Sequence, residues 1–109
     1  MNIAQIRQVI KEYRTYLGQS HLFGDSPQQT DHHLAPTRGE ALRHLLSMCD
    51  RMEEFANATE TAIKTGEPLF NQSCQEWDKL NRWLGFMQGT LWSQGVFTLS
   101  ELRAHNRNP

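Results

Sequence analysis

The chain has no long apolar run. Hydrophobic residues make up 38% of its 109 positions, and they are scattered among polar ones. No stretch approaches the roughly 20 apolar residues that a membrane-spanning helix needs. Charge of one sign is missing as well. Eleven Lys and Arg stand against twelve Asp and Glu, a net charge of −1. No global positive field exists to draw in nucleic acid or an anionic lipid surface. Cysteine is scarce: Cys49 and Cys74 have no CxxC spacing. They read as small buried residues of a reduced, cytosolic protein, not as a disulfide framework. The N-terminal MNIAQIRQVIKEYR carries charges where a signal peptide would have its apolar core.

Catalytic signatures are missing too. There is no G-x-S-x-G, no P-loop, no dinucleotide fingerprint, and no E-x-x-H or E-x-x-E pair for a dinuclear centre. Glu53 and Glu54 are adjacent acids. On a helix adjacent side chains point about 100° apart, so these two do not converge. The expectation is no enzyme: no catalytic residue, no cofactor and no metal.

No β-pattern and no internal repeat is visible, and what remains is helical periodicity. The stretch WDKLNRWLGFMQGTLWSQGVFTLSELR is the strongest case. Trp77, Leu80, Leu84, Met87 and Leu91 recur at steps of three and four, while Trp83, Phe86 and Trp92 fall outside that seam. A helix apolar on more than one side is expected to be central in a small bundle. Within it, Asp78 and Arg82 are spaced for an i,i+4 ion pair. Gly85 and Gly89 each cost about 1 kcal/mol of helix propensity, which points to close approach of another backbone.

The other elements follow in order. Residues 2–17 read as a first helix with seam Ile3, Ile6, Ile10, Tyr13 and Leu17, capped by Asn2 and closed by Gly18. Its Arg7, Lys11 and Arg14 make a solvated face. Residues 18–36 are a long connection that Leu22, Phe23 and Leu34 pin to the bundle. A second helix over 37–65 opens on the Thr37 and Glu40 capping box and stops at Gly66. Its seam is Leu42, Leu45, Cys49, Met52, Ala56, Thr59 and Ile63. Asn57–Thr61 is weaker helical sequence, expected to fray or kink. A third helix spans 69–94, starting near Pro68 or Asn71. A fourth, 98–105, opens on a second capping box, Thr98 and Glu101, with Phe97 and Leu102 as its staple. Val96, Leu99 and Leu102 are its apolar residues for docking. The fold expected for residues 1–109 is one all-α domain: an antiparallel three-helix bundle with a short C-terminal fourth helix.

Three groups carry candidate chemistry. Asp31, His32, His33 and His44, with His21 nearby, are the only metal-like cluster. Adjacent histidines rarely chelate one ion and no His-x-x-x-His occurs, so a polar loop is the simpler account. Arg38, Arg43 and Arg51, with Arg103 and Arg107, are the basic residues for nucleic acid. Glu40, Asp50, Glu53 and Glu54 are interspersed among them, which favours a solvated mixed face. Last is the aromatic surplus of the third helix. Trp83, Phe86 and Trp92 are either core or a protein contact, since aromatics are enriched at interface cores.

The segment RWLGFMQGTLWSQGVFTLSELRAHNR, with HLLSMCDRMEEF upstream, resembles small helical proteins encoded by phages and prophages. Arg82, Trp83, Leu84, Gly85, Gln88, Gly89, Leu91, Trp92, Gly95 and the ELRxHNR ending carry the likeness. The resemblance implies an accessory protein that acts on host or phage machinery by binding, and it brings no catalytic residues. Taken together, the sequence predicts a cytoplasmic helical protein–protein interaction module, with Trp83, Phe86, Trp92, Arg103 and Arg107 as its surface. Self-association into a homodimer is expected from the excess apolar circumference. A nucleic-acid-associated accessory protein is the second reading and a small metal-dependent enzyme the third.

Overall fold

A computed structural model describes residues 2–19, 36–66 and 72–107. Four helices make up nearly all of these: α1 (Ile3–Leu17), α2 (Arg38–Thr65), α3 (Gln72–Ser93) and α4 (Leu99–Asn106). No strand occurs among the described residues, and no helix there is long and apolar enough to cross a membrane. Most of the long connection lies outside the described residues, with Leu22, Phe23 and Leu34. So do Pro68, Asn71 and the side chain of Cys74.

The helix ends form where their local chemistry directs. Asn2 Oδ1 accepts from the Gln5 amide at 2.8 Å and caps α1. At the start of α2, Thr37 Oγ1 accepts from the Glu40 amide, while the Glu40 carboxylate accepts from the Thr37 amide at 3.0 Å. This reciprocal box satisfies two otherwise unpaired donors. Gly66 ends α2 at φ 70°, a left-handed conformation that favours glycine. Gly18 closes α1 in the right-handed region instead, so no glycine-specific geometry is used there.

Apolar spacing then sets the packing. Ile6, Ile10, Tyr13 and Leu17 of α1, Leu42, Leu45, Cys49 and Met52 of α2, and Leu80, Leu84, Met87 and Leu91 of α3 are all buried in one core. Cross-helix pairs fix the directions. Arg7 reaches Asn57 and Glu60, whereas Arg14 reaches Asp50 and Glu53, so α1 and α2 run antiparallel. Phe55 meets Trp83 and Arg38 meets the Gln94 carbonyl, so α2 and α3 do too.

Four expectations are corrected here. The central helix is α2, which packs on both α1 and α3; α3 keeps one face open. Ile63, placed in the α2 seam, is 60% exposed. Ala62 is buried in its place, because the seam drifts around a helix this long. The weak stretch Asn57–Thr61 remains helical. Its residues have tertiary partners: Arg7 donates to Asn57 Oδ1 and pairs with Glu60 at 2.9 Å, and Thr59 is buried. The arginines expected to make a merely solvated face therefore hold α1 on α2.

Candidate docking surface on the last two helices

The outward face of α3 follows from its inward one. With Leu80, Leu84, Met87 and Leu91 turned to the core, the 100° step per residue sends Arg82, Gly85, Gly89 and Ser93 the opposite way. Phe86 and Trp92 flank this strip, one on each side, and are 56% and 52% exposed. His44 of α2 meets the Phe86 ring edge-on at 6.3 Å. Trp83 behaves differently. It is half-buried and packs T-shaped on Phe55 with ring centroids 5.0 Å apart, so it belongs mainly to the α2–α3 contact.

The two α3 glycines do not serve the purpose expected of them inside one chain. A Cβ added at Gly85 or Gly89 would meet nothing within 4 Å. The expected Asp78–Arg82 ion pair is also missing among the described residues, where Arg82 forms no salt bridge. Both side chains are solvated, and an exposed pair gains little from closing.

After α3 the chain reverses through Gly95 at φ 73°. The Val96 amide donates back to the Leu91 carbonyl at 2.8 Å and the Gly95 amide to the Trp92 carbonyl, which gives partners to two of the last carbonyls of the helix. Thr98 and Glu101 then build the second capping box. The Thr98 backbone amide, with the Thr98 hydroxyl, holds the Glu101 carboxyl below the usual carboxylate range. Phe97 drops its ring among Tyr13, Tyr16 and His105, at centroid distances of 5.7, 5.5 and 4.9 Å. Leu102 is buried, and α4 is docked.

A polar cluster secures that docking. Gln88, buried on α3, donates from Nε2 to Tyr13 Oη at 3.1 Å and to Asn106 Oδ1 at 2.7 Å; Asn106 Nδ2 donates back to Gln88 Oε1 at 3.0 Å. The Tyr13 hydroxyl, which accepts from Gln88, also shares a hydrogen bond with His105 Nδ1, 2.6 Å away. Gln5 Nε2 donates to the His105 carbonyl at 3.2 Å. Burial raises the Tyr13 phenol above its ordinary range. Sequence reasoning missed this cluster. Tyr13 and His105 lie too far apart in the chain for any local spacing to connect them.

Leu99, expected to pack on the bundle, is 49% exposed. It lines an open groove of about 530 Å³ with Trp92, Val96 and Phe97 at the α3–α4 junction. Leu99 and Arg103 lie four residues apart, which places them along one stripe of α4, and Arg107 follows as the extended residue just past its end. Arg103 and Arg107 are exposed and make no ion pair among the described residues. Trp92 and Leu99 thus share the groove and Arg103 lies one turn beyond Leu99, while Phe86 stands on the other flank of α3 beside His44.

The other candidates are less concentrated. Asp31, His32, His33 and His21 lie outside the described residues. His44 sits beside Phe86, and no group of three metal-binding side chains occurs among the described residues. Arg51 pairs with Glu54 at 3.1 Å and Arg38 donates to a backbone carbonyl, so these two are engaged within the chain. Burial pushes the Cys49 thiol up to about 11, the reverse of what a reactive cysteine needs. No family model, curated protein or solved structure matches the chain.

Proposed function

We propose that this protein is a helical protein-binding module that engages a partner through the α3–α4 junction. The observation that carries the reading is the distribution of exposed large apolar side chains. Among the described residues, three of the four, Phe86, Trp92 and Leu99, lie along α3 and α4. Large exposed apolar patches are uncommon on monomers and mark interaction sites. The α4 half suits a partner that offers an apolar side chain to Trp92 and Leu99 and acidic residues to Arg103 and Arg107. The resemblance to phage and prophage proteins fits a small modulator of host machinery, working by occupancy alone. A free, buried thiol at Cys49 agrees with a cytoplasmic setting.

Affinity capture from host-cell lysate tests the reading. Wild type should retain a partner that Leu99→Ser and Arg103→Glu lose, while Ile63→Ser, an exposed apolar position on α2, should keep it. A partner held equally by all three variants would mean that this surface is not used. The nucleic-acid reading predicts instead a salt-sensitive gel shift that Arg103→Glu abolishes.

A further inference from the structure

The groove at the α3–α4 junction has cations at two separate points of its rim, and only one of them has been used so far. We propose that its occupant is a linear segment of a partner protein in which one large apolar side chain stands between acidic residues on both sides. This rests on the protein-binding reading above and names the occupant of that same site.

The additional cation is Arg38. It opens α2, and its Nε donates to the Gln94 carbonyl at 3.2 Å. Gln94 immediately precedes Gly95, which lines the groove, so the Arg38 guanidinium is held beside that part of the wall. Arg103 stands beyond another part, one turn of α4 past Leu99. Both arginines are exposed, and neither has an ion pair among the described residues. The nearby acids are committed to backbone amides. Glu101 accepts from the Thr98 amide at 2.9 Å and Glu40 from the Thr37 amide at 3.0 Å, each closing a capping box.

Between the two cations the wall is apolar, with Trp92, Val96, Phe97 and Leu99 along it. Trp92 and Leu99 are half exposed, so an apolar side chain seated there takes their surface and its own out of water. The wall is also firm. Phe97 is held against Tyr13, Tyr16 and His105. Acids on either side of the anchor then meet Arg38 and Arg103, and complementary charge fixes which segment is accepted. The spacing suits a short segment. Leu99 and Arg103 are about 6 Å apart along the α4 axis, and two residues of extended chain cover ~6.6 Å. An acid two places from the anchor therefore reaches Arg103. Single-stranded nucleic acid fits less well. It needs a row of cations that tracks its backbone, whereas this rim offers separated ones on a chain of net charge −1.

Nuclear magnetic resonance titration of the full chain with the peptide Glu-Asp-Glu-Phe-Glu-Asp-Glu tests it. The Trp92 indole and the amides of Leu99 and Ser100 should shift, and the Ile63 amide should not. Arg38→Gln keeps a donor for the Gln94 carbonyl but removes the charge, and it should weaken binding about five-fold or more. Arg103→Gln should do the same, and Leu99→Ser should weaken binding further. The same peptide with serine for its phenylalanine, or with lysines for its acids, should leave the spectrum unchanged. No shift at millimolar peptide overturns the proposal, as do shifts away from the groove, binding indifferent to Arg38→Gln and Arg103→Gln, or equal binding of the lysine peptide. A short oligothymidylate that shifts these signals when the acidic peptide does not also overturns it. If the peptide fails while Leu99→Ser and Arg103→Glu still release a captured partner, only this choice of occupant is wrong. If neither variant releases the captured partner, the protein-binding reading itself fails.

Discussion

Tyr13 shows how one side chain links three helices. Its ring fills the core of α1, and its hydroxyl joins Gln88 of α3 to His105 of α4. Tyr13→Phe keeps the packing but takes an acceptor from Gln88 and a hydrogen-bond partner from His105. The expected cost is about 1–3 kcal/mol, read as a lower urea midpoint with unchanged slope. No change would mean that water replaces the hydroxyl freely. Cys49 tests burial from another side. Its thiol is fully buried, and its pKa rises from 9.0 to about 11. Below pH 9 neither state ionises. Between pH 9 and 11 the unfolded chain loses the proton first, so stability falls with rising pH, by on the order of 2 kcal/mol near pH 11. The raised Tyr13 phenol adds to this decline above pH 10. Alkaline unfolding of wild type and Cys49→Ala, compared at pH 8 and pH 11, should show the steeper loss in wild type. Equal losses would contradict the burial.

At the level of elements, α4 is the informative case. It has only eight residues, too short to persist alone, and it exists because it is capped and docked. Thr98→Ala should cost about 0.5–2 kcal/mol through the lost cap, measured by thermal melting. The Glu101 carboxylate supports the same cap. Its lowered pKa means that this support is complete above pH 4.5 and is lost as acid protonates the folded form. Amide exchange should therefore find Leu102 to Asn106 protected at neutral pH and less protected in acid. Gly85→Ala and Gly89→Ala, studied at low protein concentration, should each stabilise α3 by up to about 1 kcal/mol, since no neighbour obstructs the new methyl group. Destabilisation would reveal a contact within the chain. Most seam positions of the three long helices and both capping boxes were legible in the sequence, because caps and periodicity act over three or four residues. Long-range facts were not legible. Burial of Gln88, the Arg14 links to Asp50 and Glu53, and exposure of Ile63 and Leu99 depend on which helix lies opposite. The sequence reading also put α3 at the centre, because aromatic count cannot tell an inner second face from an outer one.

On the scale of the molecule, the bundle is a support that holds one uneven surface in place. Core burial fixes α3 on α2, the polar cluster fixes α4 on α1 and α3, and Phe86, Trp92 and Leu99 are left outside. Leu84→Ala and Leu45→Ala, at buried seam positions, should each cost about 2–5 kcal/mol in denaturant unfolding; unchanged melts would contradict this core. The central claim is that the exposed α3–α4 surface is where the protein works. Hydroxyl-radical footprinting tests it most directly, because Phe, Trp, Leu and Ile side chains all report their own exposure. The protein alone at low concentration is compared with the protein bound to its captured partner. The account predicts protection of Trp92 and Leu99, with Ile63 oxidised equally in both samples. Protection of Ile63 with Trp92 and Leu99 unchanged would contradict it.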